Sequence, residues 1–234
     1  MWWVILISIL IPVIIFGILA ALIIVSKIKH DHGDYNDGGG KHIGVDQKVS
    51  FFTPANDKAG IIGERRVSYH LEPLLRNDEY LLTNLLLPFK NGKNTEIDCI
   101  LISRKGIFCI EIKHWVGHIS GNDEDEYWLQ EYDDPSLDDR RHKNPVKHNN
   151  WRCSILKKKL NNRYYVNNVV IFYGLEDGYG INSKYTYSLK EFKDYYRKLN
   201  DNVIPANFLE KNYQILKPYI ATLEQLQRHR EVNK

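Results

Sequence analysis

The sequence predicts an α/β protein with a mixed central sheet flanked by helices, preceded by an N-terminal transmembrane helix. Three observations predict this architecture. Residues 97–112 contain two short apolar runs of strand type, residues 60–76 have apolar side chains at helical spacing, and residues 2–25 form one long apolar stretch. Strand-type runs combined with amphipathic helices indicate helices packed on a sheet.

The N-terminal apolar stretch predicts a membrane anchor. Residues 2–25 carry no charge, and a helix of this length, at about 1.5 Å per residue, crosses a hydrocarbon core of about 30 Å. Lys27 and Lys29 follow at once, so the positive-inside rule places the rest of the chain in the cytosol. A cleaved signal peptide is the alternative, but no basic segment precedes the run and no small-residue cleavage site follows it.

Composition divides the rest of the chain. After an anchor at residues 1–26, glycine, aspartate, asparagine and histidine predict a flexible linker at residues 27–57. Residues 58–175 are predicted to form the main domain, and residues 176–234 a helical extension packed on it. Three cysteines, an odd number, favour a reducing compartment.

The two apolar runs at residues 97–103 and 106–112 predict a β-hairpin, because two basic residues followed by glycine separate them. Both faces of both strands are almost entirely apolar. Strands with this pattern are covered on both sides, as in the centre of a sheet. The hairpin is therefore predicted to lie in the middle of the domain.

Three ionisable side chains interrupt this hairpin. A register that pairs Ser103 with Gly106 sets Asp98 opposite Glu111, with Cβ atoms about 5 Å apart. Lys113 lies two residues after Glu111 and shares its face. Two buried carboxylates at this distance are costly unless a cation neutralises them, so one interpretation is a divalent metal site beside the lysine. The other is an edge-strand aspartate with a solvated ion pair.

Residues 60–76 predict an amphipathic helix that contributes a fourth ionisable group. Its apolar stripe consists of Val67, Leu71, Leu74 and Leu75. Extending the stripe back by three residues reaches Glu64, whose carboxylate is thereby predicted to face the sheet. The alternative role for Glu64 is that of a first-turn glutamate favoured by the helix dipole.

The other predicted elements complete the domain. A basic helix at residues 145–160 is predicted to pack through Val146, Trp151, Ile155, Leu156 and Leu160. A buried strand at residues 166–173 follows it, parallel to the central sheet. Further elements are predicted as strands at residues 80–87, 114–121 and 127–130, and as helices at residues 188–199 and 205–226.

Taken in order, these residues resemble the nuclease-related domain (NERD) family of the PD-(D/E)xK nuclease superfamily. The resemblance covers residues 60–173. The matching positions are Gly63-Glu64, Ile97-Asp98, the run from Gly106 to Lys113, Trp115, Gly117, Trp128 and Asn144-Pro145.

The resemblance implies a restriction-endonuclease-like core that acts on nucleic acid, either DNA or RNA. It implies Asp98 and Glu111 as metal ligands, with the Ile112 carbonyl as a further ligand. It also implies Lys113 beside the attacking water, Glu64 as an acidic partner, and Mg²⁺ (or Mn²⁺) as the metal.

The basic helix supplies candidate substrate contacts, because its lysines and arginines can neutralise phosphates. These candidates are Asn144, Lys147, His148 and Arg152. His148 stands where the family commonly has glutamine, and its charge depends on pH. Ile97 stands where the superfamily has the proline of its motif.

The sequence therefore favours a membrane-anchored, metal-dependent nuclease that hydrolyses phosphodiester bonds at the cytosolic membrane face. Two alternatives remain. One is a catalytically inactive module that binds nucleic acid or protein at the membrane, which the modest net charge of +3 favours. The other is a membrane-anchored scaffold in which the carboxylate cluster has no chemical role.

Overall fold

The chain is described by a computed structural model that covers residues 40–45, 47, 55–175 and 180–232. The predicted membrane anchor and most of the predicted linker lie outside these residues. Within them, no helix has both the length and the apolar character needed to cross a membrane.

The described elements comprise both strands and helices, as the sequence predicts for an α/β protein. The strands are β1 (Lys41–Ile43), β2 (Tyr80–Pro88), β3 (Asn94–Ser103), β4 (Gly106–Lys113), β5 (His118–Asn122), β6 (Tyr127–Glu131), β7 (Arg140–Lys143), β8 (Val166–Phe172), β9 (Ile181–Asn182) and β10 (Thr186–Ser188). The helices are α1 (Ala55–Leu71), α2 (Pro145–Lys159), α3 (Leu189–Lys198), α4 (Ala206–Leu216) and α5 (Leu223–Val232).

Across the described residues, six strands form one mixed sheet in the order β1-β2-β3-β4-β8-β10. β2, β3 and β4 are antiparallel, whereas β8 lies parallel to β4 after the crossover through α2. The predicted parallel strand and its helix crossover are confirmed. A smaller sheet has the order β7-β6-β5-β9.

The register of the central hairpin decides where the ionisable side chains lie. Ser103 pairs with Gly106, and the ladder continues to Cys99 opposite Ile110. The next positions along the two strands are Asp98 and Glu111. The predicted register is therefore confirmed.

Helices cover both faces of the large sheet. On one face, α1 and α3 pack on β3 and β4 through a core that includes Leu71, Phe108 and Phe192. On the other face, α2 and α4 pack through a core that includes Leu156 and Leu209. Apolar side chains on both faces of β3 and β4 require cover on both sides, as the continuous apolar runs predict.

The smaller sheet is anchored at the end of β8. The Trp128 ring of β6 stacks on Phe172, with centroids 6.1 Å apart, and the Trp128 indole N–H donates to the Asn122 carbonyl at 2.9 Å. This contact holds β6 and β7 beside the end of β4. The small sheet thereby forms a wall next to Lys113.

Two corrections concern the ends of the domain. The predicted linker is wrong for residues 41–43, since they form β1 and pair with β2. The sequence does not reveal this strand, because backbone pairing does not require alternating apolar residues. The helix predicted at residues 205–226 is two helices, because Pro218 interrupts it.

Further corrections concern helix boundaries and faces. The first helix begins at Ala55 and ends at Leu71, and a 3₁₀ turn containing Pro73 follows. In α2, Trp151 is 39% exposed instead of core-facing, while Asn149 and Arg152 are buried. The face of α2 toward the sheet is therefore partly polar, because it meets Glu111.

Leu101 and Leu137 offer a matched test of the central core, since Leu101 is fully buried and Leu137 is 48% exposed. We expect Leu101→Ala to lower the free energy of unfolding by about 2–5 kcal/mol, and Leu137→Ala to change it by less than about 0.5 kcal/mol. Chemical denaturation of the detergent-solubilised chain measures both values. Equal effects would contradict the described packing.

Candidate active site

The two carboxylates at the end of the hairpin lie on neighbouring strands. Asp98 is on β3 and Glu111 on β4, one position beyond the last pair of the ladder. The Ile112 backbone N–H donates to Asp98 Oδ2 at 2.9 Å, which holds the aspartate against the strand that carries Glu111. The predicted pairing of the two acids is thus present.

Glu111 is a buried carboxylate with two cationic partners. It is 3% exposed, Lys113 Nζ donates to its Oε1 at 2.5 Å, and Arg152 Nη1 donates to its Oε2. A charge buried to this extent is tolerated only when it is paired and hydrogen-bonded. Burial lowers the pKa of the Lys113 ammonium, and the nearby Asp98 and Glu64 carboxylates oppose that shift.

Glu64 of α1 faces the same region, as its helical phase predicts. Its Oε2 accepts a hydrogen bond from Gln47 Nε2 at 3.1 Å. Burial and the neighbouring Asp98 carboxylate raise the pKa of Glu64 to about 8. Burial is therefore the main reason that the Glu64 carboxyl holds its proton more tightly than an exposed glutamate does.

Two further charged residues belong to this cluster and were not predicted as site residues. Glu96 lies two residues before Asp98 on β3, and this spacing in a strand is the signal that assigns both to one face. Arg230 of α5 pairs with Glu96, Nη2 to Oε1, at 2.5 Å. No sequence signal identifies Arg230, because it lies 134 positions after Glu96 in the chain.

All these side chains line one cavity of about 440 Å³. Its charged lining comprises four carboxyl groups (Glu64, Glu96, Asp98 and Glu111) and four cationic groups (Lys113, Arg140, Arg152 and Arg230). Carboxylates suit a hard divalent cation, and arginine and lysine suit phosphate. The cavity thus has the chemistry to accept both.

The wall beyond Lys113 is aromatic and comes partly from the small sheet. The Trp115 and His142 rings stack with centroids 4.0 Å apart. His142 Nε2 and Gln130 Oε1 are 2.7 Å apart, and Gln130 Nε2 donates to the Val116 carbonyl at 2.7 Å. Burial, Lys113 and Arg140 lower the pKa of His142, so its ring is neutral near pH 7.

Glu64, Asp98 and Glu111 line one cavity, but they do not form a ready-made metal-ligand group. Residues 40–45, 47, 55–175 and 180–232 contain no group of three or more histidine, cysteine or acidic side chains arranged to hold a metal ion. Lys113 and Arg152 already bond both carboxylate oxygens of Glu111. A metal ligand set that includes Glu111 requires one of these partners to move.

The four predicted substrate contacts have different environments. Asn144 is buried and caps α2, accepting from the Val146 and Lys147 backbone N–H groups while its amide donates to three carbonyls. Arg152 is buried against Glu111, and its Nε has no hydrogen-bond partner among the described residues. These positions are therefore integral to the fold.

The other two candidates lie on the surface of α2. Lys147 Nζ contacts the Glu124 carbonyl, beside the acidic loop. The exposed His148 ring stacks on Trp151 with centroids 5.9 Å apart, and partial desolvation and Lys113 lower its pKa. His148 thus lies close enough to the cavity to sense Lys113, whereas Lys147 points toward the loop.

The carboxylate pair, Lys113 and the helix-borne glutamate belong to the motif positions on which the sequence resemblance rests. Residues 59–173 match the family model of the nuclease-related domain. This segment is a nuclease-related domain. The resemblance found in the sequence is confirmed over these residues, and the mixed α/β architecture agrees with a nuclease-like core.

A curated relative is similar to a shorter part of this chain. An uncharacterized protein of Bacillus anthracis is 34% identical over 71 residues, which are 30% of this chain and 34% of that protein. The chain thus spans about a third of the relative's length. No solved structure matches the chain.

Asn144 is expected to stabilise the nuclease-related domain by capping α2. Asn144→Ala leaves buried N–H and carbonyl groups without partners, and we expect a loss of about 2 kcal/mol in the free energy of unfolding. The exposed Asn150 of the same helix supplies the control. Asn150→Ala is expected to change stability by less than about 0.5 kcal/mol, and equal losses would show that the cap has no special role.

The pairing of Arg152 with Glu111 gives a second stability prediction. Arg152→Met leaves a buried carboxylate short of a counterion, and we expect a loss of about 3 kcal/mol in the free energy of unfolding. Adding Glu111→Gln removes the charge and is expected to recover at least half of that loss. Additive losses in the double variant, measured by denaturant unfolding, would contradict the pairing.

Proposed function

We propose that this protein is a metal-dependent phosphodiester hydrolase that acts on DNA or RNA. The observation that carries the proposal is the placement of Asp98 and Glu111 at adjoining strand positions beside Lys113, in one charged cavity. The match to the nuclease-related domain supports it, since this pattern of residues resembles the PD-(D/E)xK superfamily and its restriction-endonuclease-like core.

The donor set fits a magnesium or manganese ion in part. Asp98, Glu111 and the Ile112 carbonyl would hold the ion, and all are hard oxygen ligands. Burial and the neighbouring Asp98 carboxylate raise the pKa of Glu64, and a cation bound beside these two groups would favour the ionised form of Glu64. A bound ion supplies Lewis-acid polarisation of a phosphoryl oxygen and a lower pKa for bound water.

The chain's own residues have distinct roles in this proposal. Lys113 orients the attacking water and holds or receives its proton, which burial favours by lowering the lysine pKa. Arg152 neutralises Glu111 when no ion is bound, through the bond from its Nη1 to Glu111 Oε2. Glu64 completes the acidic side of the cavity.

The aromatic wall supports nucleic acid as the substrate. Trp115 and His142 present stacked rings at the cavity, and the exposed Arg140 lies beside them over the Tyr132 ring, 5.9 Å from its centroid. Aromatic rings stack on bases and arginines pair with phosphates. Lys147 and His148 lie on the exposed surface of α2.

The location follows from the N-terminal sequence. Residues 1–26 anchor the protein in this proposal, with part of residues 27–57 as a tether and the domain of residues 58–175, with its C-terminal extension, in the cytosol. The absence of charge in residues 2–25 and the lysines that follow support this orientation. The substrate would then be nucleic acid at the cytosolic face of the membrane.

A cleavage assay tests the proposal. We expect the detergent-solubilised chain to cut DNA or RNA when Mg²⁺ is present and to stop when EDTA is added. Asp98→Asn and Lys113→Met are expected to lower the rate at least about 100-fold. The exposed Asp138 and Lys90 supply matched controls, and Asp138→Asn and Lys90→Met are expected to retain full activity. Metal-independent cleavage, or full activity in Asp98→Asn, would refute the mechanism.

A second candidate function is a catalytically inactive module that binds nucleic acid or protein at the membrane. This candidate is favoured because both carboxylate oxygens of Glu111 already have cationic partners. Binding that persists in EDTA and in Glu111→Ala, together with no cleavage, would distinguish this function from the nuclease.

A further inference from the structure

The C-terminal helix α5 contributes to a site that otherwise belongs to the nuclease-related domain. The family match ends at residue 173, whereas α5 comprises Leu223–Val232. The Ala221 N–H donates to the Asn84 carbonyl at 2.9 Å, and Leu226 is 1% exposed. These contacts hold α5 against the edge of the cavity.

Arg230 extends from α5 into the acidic side of that cavity. Its Nη2 and Nε donate to the two Glu96 oxygens at 2.5 and 3.2 Å, and its Nη1 donates to Gln47 Oε1 at 2.9 Å. The same Nη2 lies 3.8 Å from Glu64 Oε1. Gln47 also donates to Glu64, so the glutamine and the arginine together tie α5 to α1 and β3.

This guanidinium does what a bound cation would do. Glu64, Glu96 and Asp98 line the cavity, and ionising all three carboxyl groups together is costly without a nearby cation. Arg230 brings positive charge to these groups through its two bonds to Glu96 and its approach to Glu64. A divalent ion near Asp98 and Glu64 would meet the same carboxylates and would be repelled by the arginine.

We propose that Arg230 competes with the divalent cation for this acidic cluster, so that α5 sets the metal affinity of the site. This inference rests on the proposed metal-dependent function. In this inference the C-terminal extension regulates the site, because metal binding weakens the ion pairs of Arg230 with Glu96 and Glu64. By linkage, any contact that draws Arg230 away tightens metal binding by the same factor.

A calorimetric titration of the detergent-solubilised full-length chain with Mn²⁺ tests this competition. Arg230→Gln is expected to tighten binding at least about tenfold, because it removes one positive charge from the cluster. Arg230→Lys keeps the charge but loses the two-pronged contact with Glu96, so its affinity is expected to lie between those of the unmodified chain and Arg230→Gln. Arg228 of the same helix pairs only with Glu224 at the surface in the described contacts, and Arg228→Gln is expected to change the affinity less than about twofold.

The outcomes separate the two proposals. Mn²⁺ binding of equal strength in the unmodified chain and in Arg230→Gln overturns the competition and leaves the nuclease proposal intact. Absence of Mn²⁺ binding in every variant overturns both. Tighter binding in Arg230→Gln together with unchanged binding in Arg228→Gln supports the competition.

A second measurement needs no variant and therefore does not depend on whether Arg230→Gln folds. Hydrogen exchange of residues 223–232 in the unmodified chain is compared with and without saturating Mn²⁺. Competition predicts faster exchange in α5 when the ion is bound, because Arg230 loses its carboxylate partners. Unchanged exchange with the ion bound would overturn the inference.

Discussion

The burial of Glu111 in the middle of the sheet is the constraint on which the site depends. Central strands covered on both faces provide almost no water, so a carboxylate there needs partners from the protein or from a ligand. Lys113 from the same strand and Arg152 from α2 supply them. The polar face of α2, with its buried arginine and asparagine, follows from this requirement.

The same constraint explains why the cavity contains so many opposed charges. Acidic side chains from α1, β3 and β4 converge, and cationic side chains from β4, α2 and α5 offset them. Such an arrangement is of little use for stability, since well-packed apolar residues are often at least as stable as buried ion pairs. In the proposed function, the protein cations would give way to a metal ion, and that ion would lie between the protein carboxylates and the phosphates of a substrate.

Much of this arrangement was predictable because it depends on local patterns. Two apolar runs around a short basic turn fix the hairpin, and a period of two in strands then places Asp98 beside Glu111. The helical period places Glu64 toward the sheet. The strand that follows α2 was predictable because its residues form a recognisable apolar run directly after the crossover helix.

The remaining parts depend on contacts between distant segments. Trp151 was assigned to the core by its helical phase, but the need of Glu111 for a counterion turns Arg152 inward and leaves Trp151 at the surface. β7 is strongly basic and lacks apolar alternation, because it pairs at the edge of a small sheet. Arg230 meets Glu96 only after the chain has folded, and neither composition nor spacing signals such a pair.

A crystal soaked in Mn²⁺ would test the central claim most directly, because the anomalous signal of manganese locates the ion. The account predicts a peak at about 2.0–2.3 Å from carboxylate oxygens of Asp98 and Glu111, with at least one of Lys113 or Arg152 displaced from Glu111. A crystal without such a peak, in which both cations still bond Glu111, would contradict it.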